Sequence, residues 1–224
     1  MTRTTHHLAL AIALAAACAS AAAEGVLAQL YAARPPAGSS FVRVVNPHVH
    51  PLQAQVAQGP VQEIGPDRQA TTYAIVKGNQ PFGVRIDGKL AGTLQVAPDT
   101  LSTLVPRRDG GRLSFSVIDD SAGAMDALKA ELRFYNLAAD CGAGQLSVSP
   151  PGPVLFKDVD PGGSAARAIN PVSATLVAGC GAAVSPALAL PALQPGDHYS
   201  LFLTGTPQAP VLKGQASDTD PYKK

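Results

Sequence analysis

Ser40 to Asn46 reads SFVRVVN and runs straight into PHVHP, Pro47 to Pro51. The first half is a strand by composition: Val and Phe fit a pleated, half-buried surface. The second half cannot continue it. Two prolines in five residues remove two backbone donors, which a central strand does not tolerate. The stretch is therefore a strand entering a loop. His48 and His50 lie one residue apart in that loop, so an extended backbone puts both rings on one face, as a metal would require. A stable zinc site wants three or four protein ligands. Outside the N-terminal segment the other histidine is His198, far along the chain. A solvated turn is the preferred reading of His48 and His50, with contact to a polymer or partner as the functional one. Asn46 reads as a strand-exit residue whose side chain satisfies the turn.

Working outward, the same kind of strand recurs. LQAQV (Leu52 to Val56), TTYAIV (Thr71 to Val76), FGVRI (Phe82 to Ile86), Lys89-Leu90, Thr93 to Val96, LSTLV (Leu101 to Val105) and LSFSVID (Leu113 to Asp119) all have strand character. Asp87-Gly88 between two of them is a strong hairpin signal. Short strands punctuated by 20 Pro and 21 Gly argue for a β-sandwich.

The pattern then repeats. SFVRVVN, ending at Asn46, matches AELRFYN, ending at Asn136. EIGPDRQATTYAI matches DVDPGGSAARAI, with Pro66 opposite Pro161. LQVAPDTLSTLV matches PALQPGDHYSLFLTG, with Pro98 opposite Pro195. The offsets of 90, 95 and 97 keep the order while loop lengths vary. The expected fold is all-β: two tandem antiparallel β-sandwich domains joined by a short linker, residues 24–120 and 121–214. Residues 122–129 offer a short helical turn near the boundary, and the polar stretch 215–224 reads as a flexible tail.

Residues 1–23 read as a signal peptide. Arg3 supplies the positive start, LALAIALAAA (Leu8 to Ala17) an apolar run too short to span a bilayer, and Ala21 to Ala23 the small residues before a cut. A second cut stays open: LAAAC, ending at Cys18, loosely matches a lipoprotein box, with Ala15 where that box carries Leu. The expected location is the periplasm. Losing Arg3 takes the net charge from +1 to zero, so no global field points to nucleic acid. Cys141 and Cys180 then remain, and an even count in an oxidising compartment suggests one disulfide.

A search for chemistry finds little. No Gly-x-Ser-x-Gly elbow and no Gly-rich phosphate loop occur. Asp197 and His198 are neighbours, and neighbours on a strand point to opposite faces. His198 falls in QPGDHYS, read as a turn with a surface role. No catalytic residue, metal ligand or cofactor site is assigned. Arg107, Arg108 and Arg112 form one local basic group in a Gly-containing connection after the first domain. Arg binds carboxylates in a bidentate manner, so an acidic polysaccharide is the ligand such a group would suit. An ordinary solvated loop is the preferred reading. Aromatic content is 5% with no Trp, which weakens a carbohydrate-stacking module. Tyr31, Tyr73, Tyr135 and Tyr199 are the ring candidates, three of them in strand-like, core-forming segments.

Several of these pieces resemble the AlgF family of periplasmic alginate O-acetylation proteins. Leu30-Tyr31, Pro36 to Ser39 and Phe41 to Asn46 resemble that family's opening Leu-Tyr pair, spacer and Phe-Val-Arg-Val strand. ARAINPVSATLVAG (Ala166 to Gly179) resembles its Ile-Asn-Pro-Val segment, and HYSLFLTG (His198 to Gly205) its late strand. Cys141 and Cys180, and the stretch 110–158, depart from the pattern. The resemblance implies two β-sandwich domains and a non-catalytic accessory or adaptor role in exopolysaccharide O-acetylation. It also implies partnership with a membrane-bound O-acyltransferase and periplasmic acetyltransferases. The alternative is a secreted carbohydrate-binding or surface-adhesion sandwich, and a third reading is an acetyltransferase acting alone.

Overall fold

The computed structural model describes residues 35–222, apart from 124, 125, 127, 150 and 151. The signal-peptide assignment, Cys18 and Tyr31 lie outside the described residues. Those described form strands and loops with no helix, so none of them builds a helix long and apolar enough to cross a membrane.

Eight strands make the first body: β1 (Ser39–Val44), β2 (Leu52–Val56), β3 (Gln62–Ile64), β4 (Ala74–Lys77), β5 (Phe82–Ile86), β6 (Lys89–Leu94), β7 (Leu101–Asp109) and β8 (Arg112–Asp119). The next eight make the second: β9 (Ala130–Asn136), β10 (Gly144–Val148), β11 (Val154–Val159), β12 (Ser164–Ile169), β13 (Thr175–Gly179), β14 (Leu188–Ala189), β15 (His198–Thr206) and β16 (Ala209–Ala216). The first body pairs sheet β4-β1-β7-β8 with sheet β3-β2-β5-β6; the second pairs β12-β9-β15-β16 with β11-β10-β13-β14. Adding eight to each strand number converts one arrangement into the other. The two-copy, all-β reading of the sequence is therefore the fold. The sheets are not purely antiparallel: β1 runs parallel to β7, and β9 to β15. Parallel neighbours need a crossover connection. The strands of the second sheet supply it.

Each body buries its own core between its sheets. Val42, Val44 and Leu104 meet Ala54, Val84 and Ile86 in the first. Leu132, Phe134 and Leu201 meet Leu146, Phe156 and Leu176 in the second, with the rings of Phe134 and Phe156 stacked at 5.8 Å between centroids. Cys141 and Cys180 form a disulfide closing 39 residues of the second body. The asparagines that close β1 and β9 do matching jobs. Asn46 Nδ2 donates to the carbonyls of His50 and Ile64, and Asn136 Nδ2 to those of Gly142 and Val159.

Period-two alternation gives β1, β7, β9 and β15 a second face, and that face is buried too. Val45, Ala70, Val105 and Ile118 of the first body pack with Tyr135 and Phe202 of the second in a separate apolar cluster. The bodies thus meet sheet against sheet. Beyond β16 the chain returns to the first body. Ala70 donates its N–H to Gln215 Oε1 and accepts from Gln215 Nε2 at its carbonyl; Tyr73 bonds the backbone of Asp218 and Asp220 on both sides. Where composition alone suggests fraying from Gln215 onward, residues 215–220 are hydrogen-bonded across the seam.

Candidate functional site: the seam between the two bodies

Arg43 is central to β1, and alternation points it away from the first core. It is fully buried. A buried charge is costly unless it is paired and hydrogen-bonded; Arg43 is hydrogen-bonded to four hydroxyls and feels the Asp120 carboxylate one hydroxyl away. Nε donates to Thr103 Oγ1 (2.9 Å) in its own body. Nη2 donates to Tyr135 Oη (2.6 Å) and Ser200 Oγ (2.8 Å) in the second body, and Nη1 to Ser217 Oγ (3.2 Å) just past β16. The guanidinium lies against three rings, 4.5 Å from the centroid of Tyr73, 5.3 Å from Tyr135 and 5.5 Å from Phe202. Burial opposes the charge on Arg43, but the hydroxyls of Tyr135 and Tyr73 and the Asp120 carboxylate outweigh it. Burial pushes the Tyr73 hydroxyl well up and raises that of Tyr135, so both stay protonated, Tyr73 donating to Asp120 and Tyr135 accepting from Arg43.

Asp120, just past β8, is the matching anion. Its carboxylate accepts from Tyr73 Oη (2.8 Å) and from Thr103 Oγ1. Thr103 therefore bridges Arg43 to Asp120. From the second body Arg133 Nη1 approaches Asp120 Oδ1 to 3.9 Å. Arg133 Nη2 donates to Glu131 Oε1 (3.2 Å) and to the Ala122 carbonyl (2.9 Å).

Glu131 also faces His198, whose Nδ1 lies 3.6 Å from Glu131 Oε1. The two open β9 and β15 and are direct partners in the parallel register. The Glu131 hydrogen bond raises the affinity of His198 for its proton against the opposing effect of burial. Burial pushes the Glu131 carboxyl up, yet the His198 hydrogen bond and the Arg133 charge outweigh it and leave it below the usual range. Gly123 lets the chain pass close to this pair: a Cβ on it would press on Glu131 Oε2 and lie 3.1 Å from Arg133 Nη2, so the ends of both side chains would have to shift. A cavity of about 270 Å³ opens beside these groups. Phe41, Leu101 and Tyr73 wall it from the first body, and Glu131, Arg133 and His198 from the second.

The residues singled out in the sequence lie elsewhere. Arg107, Arg108 and Arg112 are not in a connection after the first body. They sit on a hairpin within it, because Gly110 and Gly111, both at positive φ, make a two-residue turn that pairs Asp109 with Arg112. All three are exposed, and Arg107 Nε donates to Ser116 Oγ. His48 and His50 are exposed in the β1–β2 loop, with the His48 N–H donated to Asn46 Oδ1. The arginines and the histidines are not brought into the seam cavity. His198 is not in a turn: it begins β15, half exposed, with an acidic partner. Tyr73 and Tyr135 are buried around Arg43. The described part of the connection after β8 carries no helix.

Sequence reading misses Arg43, Asp120, Glu131 and Arg133. The signal was present in the repeat: at an offset of 90, Arg43 falls on Arg133 and Phe41 on Glu131. In comparisons with known proteins, the family described as alginate O-acetyl transferase AlgF matches over residues 9–200. No curated protein matches the chain.

Proposed function

Because the chain belongs to the AlgF family, whose role is alginate O-acetylation, we propose that it serves that process as a non-catalytic adaptor. It works in the periplasm, holding a membrane-bound O-acyltransferase and periplasmic acetyltransferases to the nascent, acidic polymer. The chemistry of acetyl transfer belongs to those partners. The adaptor's units are the two sandwiches, residues 24–120 and 121–214.

One observation carries this reading. Arg43 of the first body holds Tyr135 and Ser200 of the second and Ser217 just past β16. These three hydroxyls are acceptors in a lock and not free nucleophiles. Acyl transfer by a serine needs that hydroxyl free beside a base. The lock makes two modules one scaffold and leaves their loops and hairpins outward. The exposed Arg107, Arg108 and Arg112 on the β7–β8 hairpin, with His48 and His50 on the β1–β2 loop, are the surfaces we assign to partner or polymer contact.

Deleting the gene tests the reading. The polymer should still be made but with reduced acetyl content, restored by the wild-type chain. Unchanged acetyl content in the deletion strain would refute it. A strain expressing the chain with Arg107, Arg108 and Arg112 all changed to Glu should fall between the two.

A further inference from the structure

An edge strand offers unpaired N–H and C=O groups to any other chain, and natural sheets blunt their edges against this. Most edges here are blunted. β3, β14 and β4 have three, two and four residues. β6 opens on Lys89 and pairs irregularly with β5. β11 carries Lys157 and Asp158 and pairs irregularly with β10. β12 carries Arg167, which folds back to the Leu155 carbonyl of β11. β16 carries Pro210, Lys213 and Gly214. β8 has none of these devices. It is eight residues long, RLSFSVID, regular against β7 throughout, and charged only at its ends, Arg112 and Asp119. Its outer backbone groups have no partner among the described residues.

The hairpin fixes which groups those are. The Gly110-Gly111 turn makes Asp109 and Arg112 a hydrogen-bonded pair, so Leu113, Phe115, Val117 and Asp119 turn their N–H and C=O outward. The side chains of these residues lie on the core side of the sheet. Leu113 and Phe115 pack against the first core, and Val117 is 51% exposed. The second body fills the same place. Val117 corresponds to Gly214, which lies under the Tyr199 ring; the counterpart of Tyr199 is Ser102, too small to cover a neighbour. Phe115 corresponds to Leu212, buried in one cluster with Leu190 and Leu193. The first body thus keeps an apolar lip beside its open edge where its twin is filled.

β8 is complementary to itself. Run antiparallel to a second copy about a two-fold axis at Ser116, it sets Phe115 opposite Val117 of that copy, twice over. Both residues bond outward, as a hydrogen-bonded pair of an antiparallel ladder requires. An aromatic ring opposite a β-branched residue stabilises such a pair. The same register brings the hairpin tip of each copy, with exposed Arg108 and Arg112, to the end of β8 where the other exposes Asp119. Parallel pairing would set tip against tip. We propose that β8 is a homodimer interface: two copies join edge to edge, antiparallel about Ser116, and merge two sheets into one. Isologous pairing closes, so assembly stops at two. One strand pair is a small interface, so the dimer should dissociate at concentrations of about 1–100 µM.

The test is sedimentation of the purified mature chain across that concentration range. A reversible monomer–dimer equilibrium is expected, with nothing larger. Val117→Lys puts a charge on the edge and should leave the chain monomeric, with the wild-type circular dichroism spectrum as control. Ser116→Cys should crosslink to itself on mild oxidation, because a non-hydrogen-bonded pair at the axis has its Cα atoms about 4.5 Å apart, within disulfide reach. Ser114→Cys, two residues off the axis, should stay uncrosslinked. The cysteine variants decide alone if Val117→Lys does not fold. A chain monomeric throughout, a dimer that survives Val117→Lys, or crosslinking at Ser114→Cys equal to that at Ser116→Cys would each overturn the proposal. So would a monomer whose Phe115 and Val117 amides are already protected from hydrogen exchange, which would mean that the chain covers its own edge. Protection that arises only on adding the periplasmic acetyltransferase would give the edge to another protein, and the homodimer would fall.

Discussion

Arg43 and Arg133 occupy the same position of the two repeats, and both converge on Asp120. Arg133 reaches it directly at 3.9 Å, and Arg43 through the shared hydroxyl of Thr103. The partners are equivalent as well. Thr103 faces Arg43 in the β1–β7 register, and Ser200 faces Arg133 in the β9–β15 register. The repeat thus sets two cations about Asp120, with Glu131 as the closer acid on Arg133, and Asp120, at the end of the first body, joins both bodies.

Arg43→Ala should be among the most damaging single changes in the chain. It leaves Asp120 with one distant cation and strips the buried hydroxyls of Tyr135 and Ser200 of their donor. Each buried group left without its partner costs about 1–3 kcal/mol, so losing several at once should lower the melting temperature by roughly 10 °C in a chain of this size. Arg43→Lys should recover little of it, because one ammonium cannot serve acceptors on both sides as the planar fork does. Calorimetry of the two variants checks this; a shift of only a degree or two for Arg43→Ala would show that the seam does not depend on the lock.

Stability should depend on pH through Glu131 and His198. The raised folded value of His198 means its contribution is complete below the usual histidine value and is lost as pH rises through the raised one. The lowered folded value of Glu131 means its contribution is complete above the usual carboxylate value and is lost as pH falls through the lowered one. The pair therefore supports the seam most fully at roughly pH 4.5 to 6.5, between the two ordinary values. Denaturant midpoints at pH 5.5 and pH 8 check it. Wild type should lose stability between them relative to His198→Gln; parallel behaviour of the two would remove the pair from the account.

How far the sequence could be read follows from which face of a strand is in question. The inward face was legible: Val42, Val44, Leu132 and Phe134 alternate and are core, and the matched SFVRVVN and AELRFYN do open equivalent sheets. Asn46 and Asn136 were legible as turn clamps because their chemistry is local. The outward face was not. Arg43, Arg133 and Glu131 have the look of solvated strand residues, and the opposite body covers them. His198 read as a turn residue because its acid comes from β9, a parallel neighbour distant in sequence. The Arg107 group was misplaced because Gly110-Gly111 reads equally as linker or as hairpin turn.

The disulfide should stabilise the second body. Closing a loop of 39 residues is worth about 4 kcal/mol in the chain-entropy account. Reducing agent should lower the unfolding midpoint of wild type toward that of the Cys141→Ser, Cys180→Ser double variant, and leave the double variant unmoved. An unchanged wild-type midpoint under full reduction would show that the crosslink contributes little.

The proposed adaptor role holds that this chain joins proteins and does not itself transfer acetyl groups. The most direct measurement mixes the purified mature chain with the purified periplasmic acetyltransferase of the same system and follows two readouts: complex formation by calorimetry and release of acetyl from an activated ester. The account predicts a saturable complex and no turnover by the chain alone. No complex, together with turnover by the chain alone, would contradict it.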